Sequence, residues 1–397
     1  MALEQNWRWF GPHDPVTLKE IRQTGAIGIV TALHQIPIGE VWSVAEIVKR
    51  KQVIESAGLY WSAAESLPVH EDIKKRKGSF RRYIENYQQS IRNLGRNGVD
   101  TICYNFMPVL DWSRTDLKIV YQDGSITTGF RATAFAAFDL FILKRKGAQD
   151  DYSNEQYANA QRYFQGLSVS QIDQLTATIL LGLPGSLEAY RLAEFRRALE
   201  EYCAVGSAEL RANLRDFLAE IIPVAQEAGV RLAIHPDDPP WSLLGLPRIV
   251  SNKPDIKQII EVIDTPANGL ALCTGSLGAS IENDLVDITA SFAHRINFIH
   301  PRNVIRNANR DFTETHPLEG DIDLYSVLKV LLIEQQKRID AGRPDSRLPL
   351  RPDHGLLMKS EQQREGIYPG YSLQGRLRSL AELRGMELAI RRALSLP

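Results

Sequence analysis

Eight short apolar runs, each turning polar at its end, alternate with amphipathic stretches along most of this 397-residue chain. They fall at 7–11, 26–33, 59–66, 101–108, 231–237, 269–275, 295–302 and 348–355. Strands buried on both faces, as in a parallel sheet, read as such continuous apolar runs. The pattern between them predicts helices over 17–24, 43–57, 79–97, 209–228, 254–263, 281–293 and 322–342. Ser43, three residues ahead of Glu46, predicts a capping box. Gly58, Gly98 and Gly229 stand where a helix gives way to the next strand. Repeated strand-then-helix order means parallel strands joined by right-handed crossovers. Eight such units predict an α/β fold, a closed (β/α)8 TIM barrel. A doubly wound sheet is the alternative, but no GxGxxG follows any run to recommend a dinucleotide fold.

The rhythm breaks between Trp112 and about Val205, where polar runs such as YQDGSITTG appear together with two predicted helices, 131–145 and 155–165. Residues 112–205 are expected to form a helical insertion after the fourth strand, on the face where barrel active sites form, within a single barrel domain of residues 1–397. Forty-seven Lys and Arg balance 48 Asp and Glu, so the chain lacks the basic footprint that a nucleic-acid backbone requires. The start, MALEQNWRWFGPHDP, lacks the basic and apolar regions of a secretory signal, and no apolar run approaches the roughly 20 residues that cross a bilayer. Cys103, Cys203 and Cys273 are odd in number and far apart, which suits a reducing compartment. The expectation is a cytoplasmic protein acting on a small molecule, with no nucleic-acid or membrane partner. A homo-oligomer, a dimer in the simplest case, completes it.

The last four runs end alike. They close on Ala-Ile-His235, Ala-Leu-Cys273, Phe-Ile-His300 and Arg-Pro-Asp353. Each places a ligand-type side chain at the carboxyl end of a strand, and in a closed barrel those ends share one rim. Taken singly, Cys273 reads as a small buried hydrophobe, and Asp353 beside Pro352 as a turn residue. Four such residues on four consecutive strands point to a metal site. Thiolate favours zinc or iron, and a four-ligand zinc site would be structural. A site on the catalytic rim favours an ion with room for substrate oxygens, such as Mn(II) or Fe(II).

The segments WRWFGPHDPV, GEVWSVAEI, CYNFMPVLDW, HPDDPP, GLPRIVS, CTGSLG, NDLVD, RPDHG and YPGYS closely resemble the mannonate dehydratase family, and the resemblance runs from about residue 6 to 395. It implies a xylose-isomerase-like barrel using Mn(II) or Fe(II). It further implies conversion of D-mannonate to 2-dehydro-3-deoxy-D-gluconate plus water, in hexuronate (glucuronate) breakdown. The family's metal ligands fall on His235, Cys273, His300 and Asp353. One departure is visible: the family usually has Leu or Ile where this chain has Pro301, between His300 and Arg302.

Dehydrating an aldonic acid needs a base for the C2 proton and an acid for the leaving C3 oxygen. His354, next to Asp353, is the leading acid–base candidate, or else a histidine that holds the ligand carboxylate. Pro369-Gly370 predicts a type II turn flanked by Tyr368 and Tyr371. The resemblance gives a tyrosine of this loop a part in the reaction, and Tyr371 is favoured. Arg302 offers a planar fork for the substrate carboxylate. Asn105, His34 and His70, near the ends of strands four, two and three, are candidates for the polyol hydroxyls, while Asp237 and Asp238 could orient ligands or cap their loop. The rival readings are a barrel sugar isomerase or epimerase, a metal-dependent phosphodiesterase or DNA-repair barrel, and a sugar-acid-binding protein with structural zinc.

Overall fold

The computed structural model describes residues 3–181 and 191–396; residues 182–190, inside the predicted insertion, lie outside them, as do 1, 2 and 397. Eight parallel strands close into a barrel: β1 (Glu4–Arg8), β2 (Gly28–Thr31), β3 (Tyr60–Glu65), β4 (Thr101–Tyr104), β5 (Arg231–Ile234), β6 (Asn268–Cys273), β7 (Ile296–His300) and β8 (Pro349–Leu350). Their order round the ring is β1-β8-β7-β6-β5-β4-β3-β2. Val30, Ala63, Cys103, Ala233, Ala271 and Phe298, one from each of β2 to β7, form a single buried cluster inside it. Small side chains suit so narrow an interior, which accounts for Cys103 as a core residue. At Gly269 a Cβ would stand 2.2 Å from Asn297 Nδ2, so only glycine lets β6 and β7 close there.

Several expectations shift in position. β1 begins at Glu4, ahead of the predicted 7–11, because Glu4 is buried yet paired with Arg347 at 2.7 Å and so reads as polar sequence inside a strand. The predicted strand 348–355 pairs only over Pro349–Leu350. Pro349 and Pro352 bring no N–H to a ladder, so the chain leaves the sheet early. Ser43 does cap its helix, accepting from the Glu46 N–H at 3.3 Å. The capping box stays half-made, because the Glu46 carboxylate takes Gln35 Nε2 instead. A helix over Leu373–Ala393 completes the eighth unit, although none was predicted beyond 342. Its packed face carries the wholly buried Arg376, and that charge hides the apolar stripe.

The segment after β4 holds the predicted helices, as Ala132–Ala137 continued by a wider π turn to Leu143, and Asn154–Gln165. It also opens with an unanticipated antiparallel hairpin, Asp116–Val120 with Ile126–Phe130. The signal was present: alternating residues on either side of Asp123-Gly124, with Gly124 at φ +81°. This hairpin pairs with a second, Asn303–Arg306 with Phe312–Thr315, that follows β7. Phe130 and Phe312 stack between them, centroids 5.7 Å apart. The resulting four-stranded sheet ties the segment to the loop beyond a metal-ligand candidate, and it delivers Glu314 to the rim. Among the described residues no helix is long and apolar enough to cross a membrane.

Candidate active site

The ligating atoms of His235, Cys273 and His300 lie within 4.8 Å of one another, from the carboxyl ends of β5, β6 and β7. Asp353 lies outside that three-residue group but next to it, its Oδ2 accepting from the Cys273 thiol at 3.3 Å. The donor set fits a divalent ion on three counts. Both ring nitrogens of His300 are buried without a hydrogen-bond partner, an expensive state unless something else takes a lone pair. His235 donates its Nδ1–H to the Pro236 carbonyl at 2.7 Å, which fixes the tautomer that leaves Nε2 free to ligate. Asp353 is held ionised: burial pushes its carboxyl pKa up, but His354, Arg351 and Arg302 together bring it well below the usual range.

Beside these donors opens a cleft whose walls include Arg8, Phe10, Asn105 and Trp112. His354 lines it, with Nδ1 committed to a short hydrogen bond to Glu314 and Nε2 lying 3.9 Å from Asp353 Oδ1. A carboxylate on one imidazole nitrogen orients the ring and leaves the other for proton transfer. Tyr371 packs edge-on against His354 at 5.1 Å and against Phe10 at 4.8 Å. Its position comes from the predicted turn: Tyr371 N–H donates to Tyr368 O at 2.9 Å, with Gly370 at φ +81°. Burial raises the Tyr371 hydroxyl pKa well above its ordinary value, so the group stays protonated.

Behind His354 runs a chain of charges. Glu314 accepts from Arg114 at 2.5 Å, Arg114 reaches Asp238 at 2.8 Å, and Arg302 joins Asp238 at 2.8 Å to Asp353 at 3.1 Å. Burial pushes the Glu314 carboxyl up, but His354, Arg302 and Arg114 outweigh it and bring its pKa down to about 2. Glu314→Gln keeps the shape and loses the charge, so turnover should fall roughly 10–100-fold with metal content unchanged, as for other outer-sphere partners. Equal loss of metal and turnover in that variant would assign Glu314 to the metal site instead. A depressed carboxyl stabilises the folded chain above its ordinary value of 4.5 and loses that contribution as pH falls toward about 2. The thermal midpoint of the wild type should therefore drop over that interval, and Glu314→Gln should flatten the drop.

Not every candidate reaches the cleft. Asn105 and Arg302 line it, but both carboxylate-facing ends of Arg302 are already occupied by Asp238 and Asp353. Asp238 belongs to that network, whereas Asp237 only holds its own loop, accepting from Val250 N–H and Ser251 Oγ. His34 flanks Phe10 at 6.0 Å; burial, then the charges of Arg8 and Arg50, lower its pKa to about 3, so it is neutral. Tyr368 is half-buried against Phe10 at 4.7 Å. His70 lies in a different recess, where Nδ1 caps the helix Glu71–Lys75 and the ring stacks on Tyr83 at 3.9 Å. Sequence reasoning missed Arg8, Glu65, Glu314 and Arg351. Arg351 grips Glu65 at 2.6 and 2.7 Å and Asp353 at 2.8 Å, and Glu65 lies 3.6 Å from His300 Nε2.

Barrel and donor set define one class: (β/α)8 proteins whose rim brings together groups able to hold a divalent ion beside a polar cleft. The family model described as D-mannonate dehydratase (UxuA) matches residues 3–396. Mannonate dehydratase of Marinomonas sp. (strain MWYL1) is 50% identical over 393 residues, covering 99% of this chain and 100% of that one. That of Chromohalobacter salexigens is 52% identical over 390 residues, covering 98% and 99%. The crystal structure of mannonate dehydratase from Streptococcus suis serotype 2 superposes with a TM-score of 0.77 at 34% identity, covering 99% of this chain and 96% of that one. The chain belongs to the D-mannonate dehydratase family.

Proposed function

We propose that this chain dehydrates D-mannonate to 2-dehydro-3-deoxy-D-gluconate, with His235, Cys273, His300 and Asp353 holding Mn(II) or Fe(II) and with His354 and Tyr371 moving the protons. The observation that carries the reading is convergence: the donors of β5 to β7 meet within 4.8 Å, beside a cleft lined by both His354 and Tyr371. When bound, a divalent ion supplies Lewis-acid stabilisation of the negative charge that gathers on the substrate carboxylate as the C2 proton leaves.

The chain's own groups do the rest. His354 Nε2, the nitrogen that Glu314 leaves free, takes the C2 proton. Tyr371 gives its proton to the C3 hydroxyl, which departs as water when the C3–O bond breaks and a C2–C3 double bond forms. The proton on His354 then passes to the tyrosinate, restoring both groups. The enol left behind loses its hydroxyl proton and gains one at C3, giving the 2-keto-3-deoxy acid. Asn105, on the cleft wall, is suited to a substrate hydroxyl, and His34 and Tyr368 support Phe10. Arg302 in this reading orients Asp353 and Asp238.

Residues 112–205 we read as an insertion within one barrel domain of residues 1–397, and the place of Trp112 on the cleft wall supports that. Cytoplasmic residence fits three free cysteines, two of them buried, and a homo-oligomer, a dimer in the simplest case, completes the reading. The test is the product. Metal-reconstituted protein given D-mannonate should release one equivalent of the 2-keto-3-deoxy acid by NMR. An isomer or epimer with its oxygens intact would favour the isomerase reading instead.

A further inference from the structure

Three arginines line the cleft, and they differ in one respect. Arg302 reaches Asp238 and Asp353, and Arg351 reaches Glu65 and Asp353. Arg8, the last residue of β1, is only 3% exposed and forms no ion pair among the described residues. Its Nη1 is buried without a hydrogen-bond partner. The side chain lies over the Phe10 ring at 4.9 Å, and the Arg8 carbonyl accepts from Arg376 Nη1 at 2.8 Å, so its base is fixed from two sides.

The electrostatics agree with the geometry. Opposing carboxylates raise the pKa values of Arg302 and Arg351 well above the ordinary range. Burial lowers that of Arg8, and the attraction of Glu65 does not make up the difference. A buried cation without a counter-charge is costly, and such positions persist where a ligand supplies the missing charge. A sugar acid carries one carboxylate, and a neutral sugar of the same chain length carries none.

We infer that Arg8 receives the carboxylate of the substrate and sets the preference of the cleft for a sugar acid over a neutral polyol. This rests on the proposed dehydration of D-mannonate. It also explains why Arg302, already paired twice, is not needed for that contact. Guanidinium fits a carboxylate with two parallel donors, which a lysine ammonium cannot offer.

The test is equilibrium binding to metal-loaded protein carrying His354→Asn, so that D-mannonate is bound but not consumed, with D-mannitol as the neutral probe. Adding Arg8→Met should weaken D-mannonate at least ~30-fold, the order of a lost charge-assisted hydrogen bond, and leave D-mannitol unchanged. The ligand-free thermal midpoint should hold or rise, since an unpaired buried charge is removed. Affinity for D-mannonate within twofold of the parent overturns the inference. If Arg8→Met does not fold, Arg8→Lys carries the test. It should bind D-mannonate roughly tenfold more weakly with D-mannitol unchanged, and equal loss of both ligands overturns the inference. A parent that binds no D-mannonate at all refutes the proposed function itself, a separate outcome.

Discussion

Replacing His354 with Asn is expected to lower D-mannonate turnover by about 10³-fold and to leave the metal content of the protein unchanged. Asn retains a polar group near the position of Nδ1, where Glu314 waits, but puts no atom where Nε2 stands. The loss corresponds to about 4 kcal/mol of transition-state stabilisation, and it should appear in kcat. Steady-state kinetics with metal analysis of the same sample separate the alternatives. Were His354 only a prop for Asp353, metal content would fall in step with turnover. Normal turnover in the variant would remove His354 from the chemistry altogether.

The second large effect is expected at Cys273. The residue is fully buried, receives a hydrogen bond from Ser276 Oγ at 3.0 Å and donates to Asp353 at 3.3 Å. Cys273→Ala removes the soft ligand, and both metal content and dehydratase activity should fall by more than about 10²-fold, beyond what outer-sphere changes produce. The barrel should survive, because its closure rests on the eight-strand ladder and the interior cluster. A circular-dichroism melt decides between a catalytic and a structural metal: loss of a site that holds the fold together would lower the midpoint sharply, whereas loss of a catalytic site should leave it little changed.

The four rim candidates were legible in the sequence because each stands at the end of its own apolar run; the structure brings His235, Cys273 and His300 together and sets Asp353 beside Cys273. Tyr371 was legible for a similar reason, since Pro369-Gly370 announces the turn that holds it. What surrounds them was not. Glu314 stands on an antiparallel strand 40 residues before His354, in a stretch (DFTETHP) that reads as loop until the hairpin after β4 supplies its partner. Arg8 reads as an ordinary polar residue within a strand, and its place on the cleft wall emerges only from the pairing of β1 with β2, where it stands opposite Val30. His70 failed in the other direction. Placed after a strand, it resembled a rim residue, but the short helix that begins at Glu71 claims its Nδ1 as a cap. Proximity in a barrel follows from ring order, so contacts made across strands leave no trace in local pattern.

The four-stranded sheet gives this a consequence for design. Arg114 from the segment after β4 and Glu314 from the loop after β7 meet behind His354, 200 residues apart in sequence. Orientation of the His354 imidazole thus depends on elements outside the barrel strands and outside the candidate metal ligands.

The measurement closest to the central claim is a metal titration of chelated protein. Dehydratase activity on D-mannonate should be absent after chelation, rise in proportion to added Mn(II) or Fe(II), and saturate at one ion per chain. Full activity in the metal-free protein, or one bound ion per chain with no dehydration, would contradict the account.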